Sequence, residues 1–292
     1  MLKKIIAFSL TTTACLVLSG CTVPLNPNGL PKSLDNSSHA KKLAYCMNLT
    51  VPDQPAPKGF DTNKSSQLLT DVALSATVHR LNAIYGTRDI GSFGAEFGLA
   101  LGKAIFSVPP ESTYHQAMVF LPDTEYKNAS EAAISAVKIV HDSLKKSVEV
   151  AGYEIVGGEI YNKNGIRFRS IDLFNPAKGC PKSKNIKEQC YIAITAQERK
   201  FPDQAEPSPS WLTPNGTTLN WQIRHIRIEA KAPETAKLRE SMPKILANYA
   251  REVPPHTWLY VAPMQVGEQW TAPYVSDGTN AYFFIKPASP KP

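Results

Sequence analysis

Four aromatic residues crowd the C-terminal part of the chain, in the order Trp258, Tyr260, Trp270 and Tyr274. Exposed indole and phenol rings stack on sugar rings and on partner side chains, so such residues often carry binding energy. Residues 264–280 form a connection that is too long for a simple hairpin, and long connections often carry binding residues. The four aromatics are therefore the first candidate ligand-binding set, with core packing as the alternative for some of them.

A second candidate set is basic and falls on two predicted strands, with Arg167 and Arg169 in one and Arg224 and Arg227 in the other. If these strands were neighbours, the four guanidinium groups would form one cationic patch for an anionic ligand. The alternative is that the arginines face solvent and pair with acidic residues of their own strands, namely Asp172 and Glu229.

Familiar catalytic motifs do not accompany these residues. The chain has no G-x-S-x-G elbow, phosphate-binding loop, H-E-x-x-H or paired C-x-x-C. The six histidines are scattered, with none four positions from another or from a cysteine, so no metal site and no cofactor are predicted. His141 falls on the apolar stripe of a predicted helix, which favours a structural histidine over a ligand or a base.

The N-terminus has the order of an export signal. Lys3 and Lys4 precede an uncharged, mostly apolar stretch over residues 5–20. Its sixteen residues include several serines and threonines, whereas a membrane-spanning helix needs about 20 mostly apolar residues. A signal segment is therefore favoured over a transmembrane span.

Leu18, Ser19, Gly20 and Cys21 end this stretch and resemble the lipobox of bacterial lipoproteins. The resemblance covers the signal region alone. It implies removal of residues 1–20, lipidation of the Cys21 thiol, and a mature protein held at a membrane by acyl chains. An ordinary cleaved signal, with Cys21 buried or in a disulfide, is the alternative.

The residue after the lipidated cysteine influences sorting in bacteria with two membranes, where an aspartate favours the inner membrane. Thr22 occupies this position, so the resemblance implies an outer-membrane lipoprotein that faces the periplasm. In an organism with a single membrane the domain would face the outside.

Three further cysteines bear on disulfide pairing. Cys180 and Cys190 bracket a polar, lysine-rich loop without an apolar core, and Cys46 lies far away in the sequence. Export into an oxidising compartment permits disulfides, and a bond across so short a loop would contribute roughly 2–3 kcal/mol to stability. Of the three possible single pairings, we predict the bond between Cys180 and Cys190.

The charge of the chain limits its partners. The formal net charge is +7 at pH 7, two units of which come from Lys3 and Lys4 of the signal segment. The remaining charge is spread along the chain without the dense Lys/Arg clusters of nucleic-acid-binding proteins. The expected partners are the membrane, through the lipid anchor, and a protein or glycan of the envelope, but no nucleic acid.

The composition predicts a short linker followed by one globular region. Residues 21–64 contain six prolines among polar residues and are typical of an extended linker, in which only residues 43–49 are apolar enough to dock back onto the domain. Residues 65–292 are predicted to form an α+β domain. Within it, Gly94, Gly98 and Gly102 recur every four residues, which favours a closely packed helix over membrane insertion.

The periodicity predicts a mixed or antiparallel sheet with helices on one face, and two β-α-β-β units in tandem are one arrangement of it. The first unit has a strand at 114–122, a helix capped by Asn128 with Glu131 three positions later, and a hairpin that turns at Asn164 and Gly165. A strand at 190–198 separates the units. The second unit has a strand at 220–231, a helix that starts at Pro233 and is interrupted at Pro243, and strands at 256–263 and 281–287.

The apolar residues change face in two of these strands. Ile166 and Phe168 lie on one parity and Ile171 and Leu173 on the other, and the same change follows Ile223 in the strand at 220–231. A β-bulge in each strand would restore a single buried face.

Two functions are compatible with this sequence. The favoured hypothesis is a lipid-anchored cell-envelope protein with a binding or assembly domain. The alternative is an envelope hydrolase that acts on peptidoglycan or another glycan. A cleft that gathers two carboxylates, or a serine or cysteine beside a histidine, would favour the hydrolase.

Overall fold

The computed structural model describes residues 30–54, 110–158, 160–163, 166–183, 185–197, 221–266, 269–271 and 273–287. The predicted signal segment with Cys21 and the glycine-rich segment around Gly98 lie outside these ranges.

The described residues contain three α-helices and eleven strands. The helices are α1 (His39–Cys46), α2 (Ala129–Val150) and α3 (Leu238–Arg251). The strands are β1 (His115–Pro122), β2 (Glu154–Gly157), β3 (Ile160–Lys163), β4 (Ile166–Phe174), β5 (Cys190–Gln197), β6 (Trp221–Lys231), β7 (Thr257–Val261), β8 (Gln265–Val266), β9 (Gln269–Trp270), β10 (Tyr274–Ser276) and β11 (Ala281–Phe283).

Nine of these strands form one sheet. Its order is β11-β10-β7-β1-β6-β5-β4-β2, β3 also pairs with β4, and neighbouring strands are antiparallel. Together with the helices, this sheet confirms the predicted α+β fold class. The predicted order of strand, helix and strands occurs twice, but the two copies interlock, because β7 of the second copy pairs with β1 of the first.

Local sequence explains where the two long helices begin. The Asn128 side chain accepts a hydrogen bond from the Glu131 N–H, and the Glu131 carboxylate accepts one from the Lys127 N–H, so α2 has the predicted cap. Helix α3 differs from its prediction, since it begins at Leu238 rather than at Pro233 and continues through Pro243. Pro243 is buried, so its packing offsets the one backbone hydrogen bond that the ring removes.

Helices α2 and α3 lie on one face of the sheet and cover the helix-side core. Alternate residues of β1 point into this core, namely Ala117, Val119 and Leu121. They meet the apolar stripe of α2, which includes Val140 and Leu144. The two long helices thus occupy one face of the sheet, as predicted.

Helix α1 lies on the opposite face and covers a second cluster, the α1-side core. Leu30, Leu43 and Met47 are buried there against Met118 and Phe120, the other two apolar residues of β1. Residues 30–54 fall within the segment that we predicted to be a linker. In the structure they form an element of the core, because the β1 residues on this face need an apolar cover.

Hydrogen bonds fix both ends of this α1 segment. The Ser38 hydroxyl caps α1 by accepting from the Lys41 N–H, and the Asp53 carboxylate accepts from the Ser38 N–H at 2.8 Å. Gln54 then forms a parallel bridge to Ile285 beside β11. The segment therefore returns along the edge of the sheet.

The predicted β-bulges in β4 and β6 are wrong. The pairings of β4 with β5 and of β6 with β1 run without a register shift, and the shift that occurs lies between Ile155 and Gly157 of β2. The change of parity in β6 has another cause. Ile226 and Ile228 enter the helix-side core, whereas Ile223 enters the α1-side core.

The structure confirms the predicted disulfide. Cys180 and Cys190 are bonded, with their Cα atoms 5.4 Å apart. Cys46 is buried in the α1-side core. The bond closes the polar loop next to β4 and β5, where the chain has few apolar contacts of its own.

Gly158 is a position where a side chain cannot be added without strain. Its φ is +154°, and an added Cβ would lie 2.4 Å from the Ser170 carbonyl oxygen. We expect Gly158→Ala to lower the free energy of unfolding by about 2 kcal/mol or more. Gly157→Ala is the matched control, because its Cβ would meet only the movable Asp172 carboxylate. Equal unfolding midpoints in urea for the two variants would contradict this account.

His115 makes the stability depend on pH. Its Nδ1 accepts a hydrogen bond from the Ala262 N–H at 3.1 Å, and burial lowers its pKa from 6.5 to about 4. As the pH falls below 6.5, the unfolded chain takes up this proton before the folded chain does, so stability is complete above pH 6.5 and is lost toward pH 4.

We expect the His115 contribution to remove about 2–3 kcal/mol from the free energy of unfolding between pH 7 and pH 4.5. His115→Asn retains an acceptor for the Ala262 N–H and should show a smaller pH dependence in urea titrations. His256→Asn, at an exposed histidine, is the control. If His115→Asn and wild type lose the same stability, His115 is not the titrating group.

Candidate functional site

Three rings meet on the α1 face of the sheet. The His39 ring centroid lies 4.6 Å from that of Tyr282 and 6.5 Å from that of Trp258, and the latter two are 6.1 Å apart. His39 is exposed, and Trp258 and Tyr282 are half-buried. The group therefore presents ring surface to solvent.

Strand alternation explains why these rings converge. In β7, Leu259 and Val261 point into the helix-side core, which places Trp258 on the opposite face. In β11, Ala281 and Phe283 point to the helices, which places Tyr282 beside Trp258. His39 is the first residue of α1, which packs over β10 and β11.

A second pair of rings continues this surface toward β6. The Trp221 ring centroid lies 5.2 Å from that of His256 and 6.4 Å from that of the buried Phe120. His256 is exposed, with a φ of +62°, and its carbonyl accepts a hydrogen bond from the Phe120 N–H. We name the five partly exposed rings of this face the aromatic band: His39, Trp221, His256, Trp258 and Tyr282.

Polar and charged groups surround one end of the band. The Asp277 carboxylate accepts from the N–H groups of Thr279 and Asn280 and from the Tyr282 hydroxyl at 3.0 Å. Burial, and next the Asp277 charge, raises the pKa of Tyr282 to about 12. Partial loss of water around the ring, which packs against Tyr282, and next the Lys42 charge lower the pKa of His39, against an opposing effect of Asp277.

The structure separates the four aromatic residues that we predicted as a binding set. Trp258 belongs to the band. Tyr260 is completely buried, and its hydroxyl donates to the Ser112 carbonyl at 2.8 Å. Tyr274 packs against the helix-side core beside Phe283, and burial raises its pKa. Trp270 lies in β9, and its side chain is outside the described part of the structure.

The predicted cationic patch is not formed. Strand β5 lies between β4 and β6, so the strands that carry the arginines are not neighbours. Arg169 faces α2, with its Nη1 atom 3.8 Å from the Asp142 carboxylate. Arg227 lies on the other face, over the Tyr114 ring and paired with Glu229.

Arg224 and Arg167 complete the predicted set. Arg224 donates to the Ile223 carbonyl and to the Gln222 side chain. Arg167 lies in β4, and its side chain is outside the described part. Of the two interpretations of these residues, the pairing with acidic neighbours is therefore found at Arg227, with Glu229.

His141 and Asp142 form the arrangement most like a catalytic pair. Nδ1 of the buried His141 ring lies 2.8 Å from the Asp142 carboxylate, and Nε2 has no hydrogen-bond partner in the described part of the chain. Burial lowers the pKa of His141, although the Asp142 hydrogen bond opposes this. A hydrolase would need a nucleophile at Nε2, but Ser170 belongs to the opposite face of β4, and Gly158 lies beside Nε2. Among the described residues, the pair links α2 to the sheet, because the Asp142 carboxylate also lies 3.8 Å from Nη1 of Arg169 in β4.

The described residues also bear on metal binding and on membrane crossing. Within the described ranges, histidine, cysteine, aspartate and glutamate side chains do not gather in groups of three that could hold a metal ion. The helices found in those ranges are too short or too polar to traverse a bilayer.

Comparisons with protein-family models, with curated proteins and with solved structures found no match to this chain. The candidate site therefore rests on the geometry described above, in which the aromatic band presents five partly exposed rings.

The effects of two conservative substitutions on the free energy of unfolding should distinguish a residue of the aromatic band from a residue of the core. Tyr260→Phe leaves the Ser112 carbonyl without its donor and should lower the free energy of unfolding by about 1–2 kcal/mol. Trp258→Phe keeps a ring at a half-exposed position and should change it by less than about 0.5 kcal/mol. Urea unfolding of both variants provides the measurement. A larger loss for Trp258→Phe would assign Trp258 to the core.

Proposed function

We propose that this protein is a lipid-anchored cell-envelope protein whose α+β domain is a binding or assembly module, and that the aromatic band is its binding surface. The observation that carries the proposal is that two groups of partly exposed rings lie on one face of the sheet, His39 with Trp258 and Tyr282, and Trp221 with His256. Partly exposed rings offer apolar faces and edges on which a partner can pack.

The location rests on the signal region. The resemblance of residues 18–21 to a lipobox supports lipidation of Cys21 and a place in the envelope, at the outer membrane if the organism has two membranes. The disulfide between Cys180 and Cys190 is compatible with an oxidising compartment. The expected partners are the membrane, through the lipid anchor, and a glycan or a protein of the envelope.

The hydrolase alternative has less support. Its best candidate residues are His141 and Asp142, but the histidine is almost completely buried, at 1% exposure. A substrate would have to displace Gly158 and the adjoining strand to reach Nε2. The binding function therefore needs fewer rearrangements than the catalytic one.

A single set of labelling experiments in cells tests both parts of the proposal. A photo-crosslinking amino acid replaces Trp258 in one strain and Lys138, an exposed residue of α2, in the control strain. We expect specific crosslinked products from position 258 and none from position 138. A clickable fatty acid should label the wild type and fail to label Cys21→Ser.

The two readouts fail independently. Equal crosslinking from positions 258 and 138, or none from position 258, would refute the aromatic band as the binding surface. Unchanged fatty-acid labelling of Cys21→Ser would refute the anchor.

A further inference from the structure

We infer that the aromatic band binds the surface of the same bilayer that holds the lipid anchor, so that the domain lies on its membrane through the α1 face. This inference rests on the proposed lipidation of Cys21 and names the partner of the proposed binding surface. Three features support membrane docking: the length of the tether, the place where the tether enters the fold, and the chemistry of that face.

The tether is short because the core begins early in the chain. Leu30 is 1% exposed and belongs to the α1-side core. Nine residues, 22–30, thus connect Cys21 to the folded domain, and nine residues span at most about 30 Å. The predicted linker of residues 21–64 would have allowed a much greater distance.

This length limits which face can meet the bilayer. A compact body the size of the described part, about 170 residues, has a diameter of about 40 Å. The side that carries α2 and α3 lies across the sheet from Leu30, and a tether shorter than the domain cannot bring that side to the membrane. The α1 face, where the tether enters, can reach it.

The α1 face has the side chains that suit a membrane surface. Tryptophan and tyrosine favour the headgroup region, where an apolar ring and a polar atom are both accommodated. Trp258, Tyr282 and Trp221 are half-buried rings of this kind. Helix α1 buries Leu43, and the partly exposed Tyr45 packs at the margin of the same core.

Charged groups on this face favour anionic headgroups. Helix α1 and its flanks carry the partly or fully exposed Lys32, Lys41 and Lys42, and Lys286 follows β11. Three acidic residues lie near them, but the carboxylates of Asp53 and Asp277 accept hydrogen bonds from Ser38 and from the β10–β11 turn. The third, Asp35, precedes α1, and its carbonyl accepts from the Lys42 ammonium group. The four lysines outnumber the three carboxylates by one, which leaves this face with a small positive charge for lipid phosphates.

Quenching by brominated lipid provides the test. The mature lipoprotein is placed in vesicles of phosphatidylethanolamine and phosphatidylglycerol whose acyl chains are brominated just below the headgroups, and its tryptophan fluorescence is compared with that in unbrominated vesicles. We expect strong quenching in wild type. Trp258→Phe should remove roughly half of it, because Trp221 and Trp258 share the band.

Charge-reversal variants on the two faces of the sheet test whether the α1 face is the one that binds the membrane. Lys41→Glu with Lys42→Glu should reduce quenching several-fold, whereas Lys138→Glu with Lys244→Glu, on the exposed sides of α2 and α3, should leave it unchanged. Circular dichroism of each variant verifies that it is folded. Equal quenching in the two double variants would overturn the inference.

The mass of the vesicle-bound protein shows whether it is acylated. This measurement distinguishes a failure of membrane docking from a failure of the proposed lipid anchor. If the protein is acylated and Trp258→Phe does not alter the quenching, docking of the band is refuted while the anchor stands. If the protein carries no acyl chains, the anchor is refuted, and the inference that rests on it falls as well. Crosslinks from position 258 to an envelope protein or glycan, without quenching by lipid, would assign the band to that partner instead.

Discussion

Strand β1 is buried on both of its faces, and this constraint shapes the rest of the molecule. Residues 116–121 are all buried, and β6 and β7 flank the strand on either side. Its apolar side chains therefore need two covers. Helices α2 and α3 supply one, and the α1 segment supplies the other. The opposite face thus gains a core of its own, and the partly exposed rings stand around the rim of that core.

The sequence contained much of the information about the packing of α2 and α3 over one face of β1, which is the first cover. The stripe that includes Val140 and Leu144, the cap at Asn128 and the alternation in β5 are local signals, because each depends on residues within one or two turns or on a single strand. The second cover had a weaker signal. The uninterrupted apolar run of residues 117–121 is typical of a strand buried on both faces. Its partner segment, rich in proline and asparagine, resembled a linker.

The change of parity in β6 illustrates how this missing cover distorted a local prediction. With one buried face assumed, Ile223 and Ile226 can be buried together only if a bulge shifts the register. With two buried faces, both residues are satisfied by a regular strand, and the structure has that arrangement. The aromatic band could not be predicted for the same reason. His39 comes from the α1 segment, and Tyr282 faces it only because Phe283 faces the helices.

The α1 segment connects the N-terminal sequence to the candidate surface by covalent and non-covalent links. Ser38 and Asp53 close the segment into a loop, and Gln54 attaches its end to the strand edge next to Phe284. A pull on the chain before Leu30 would therefore act on a buried residue of the α1-side core rather than on a loose end. An anchor at Cys21 would restrict the orientation of the domain as well as its distance from the bilayer, because His39 and Trp258 lie within the same packed unit.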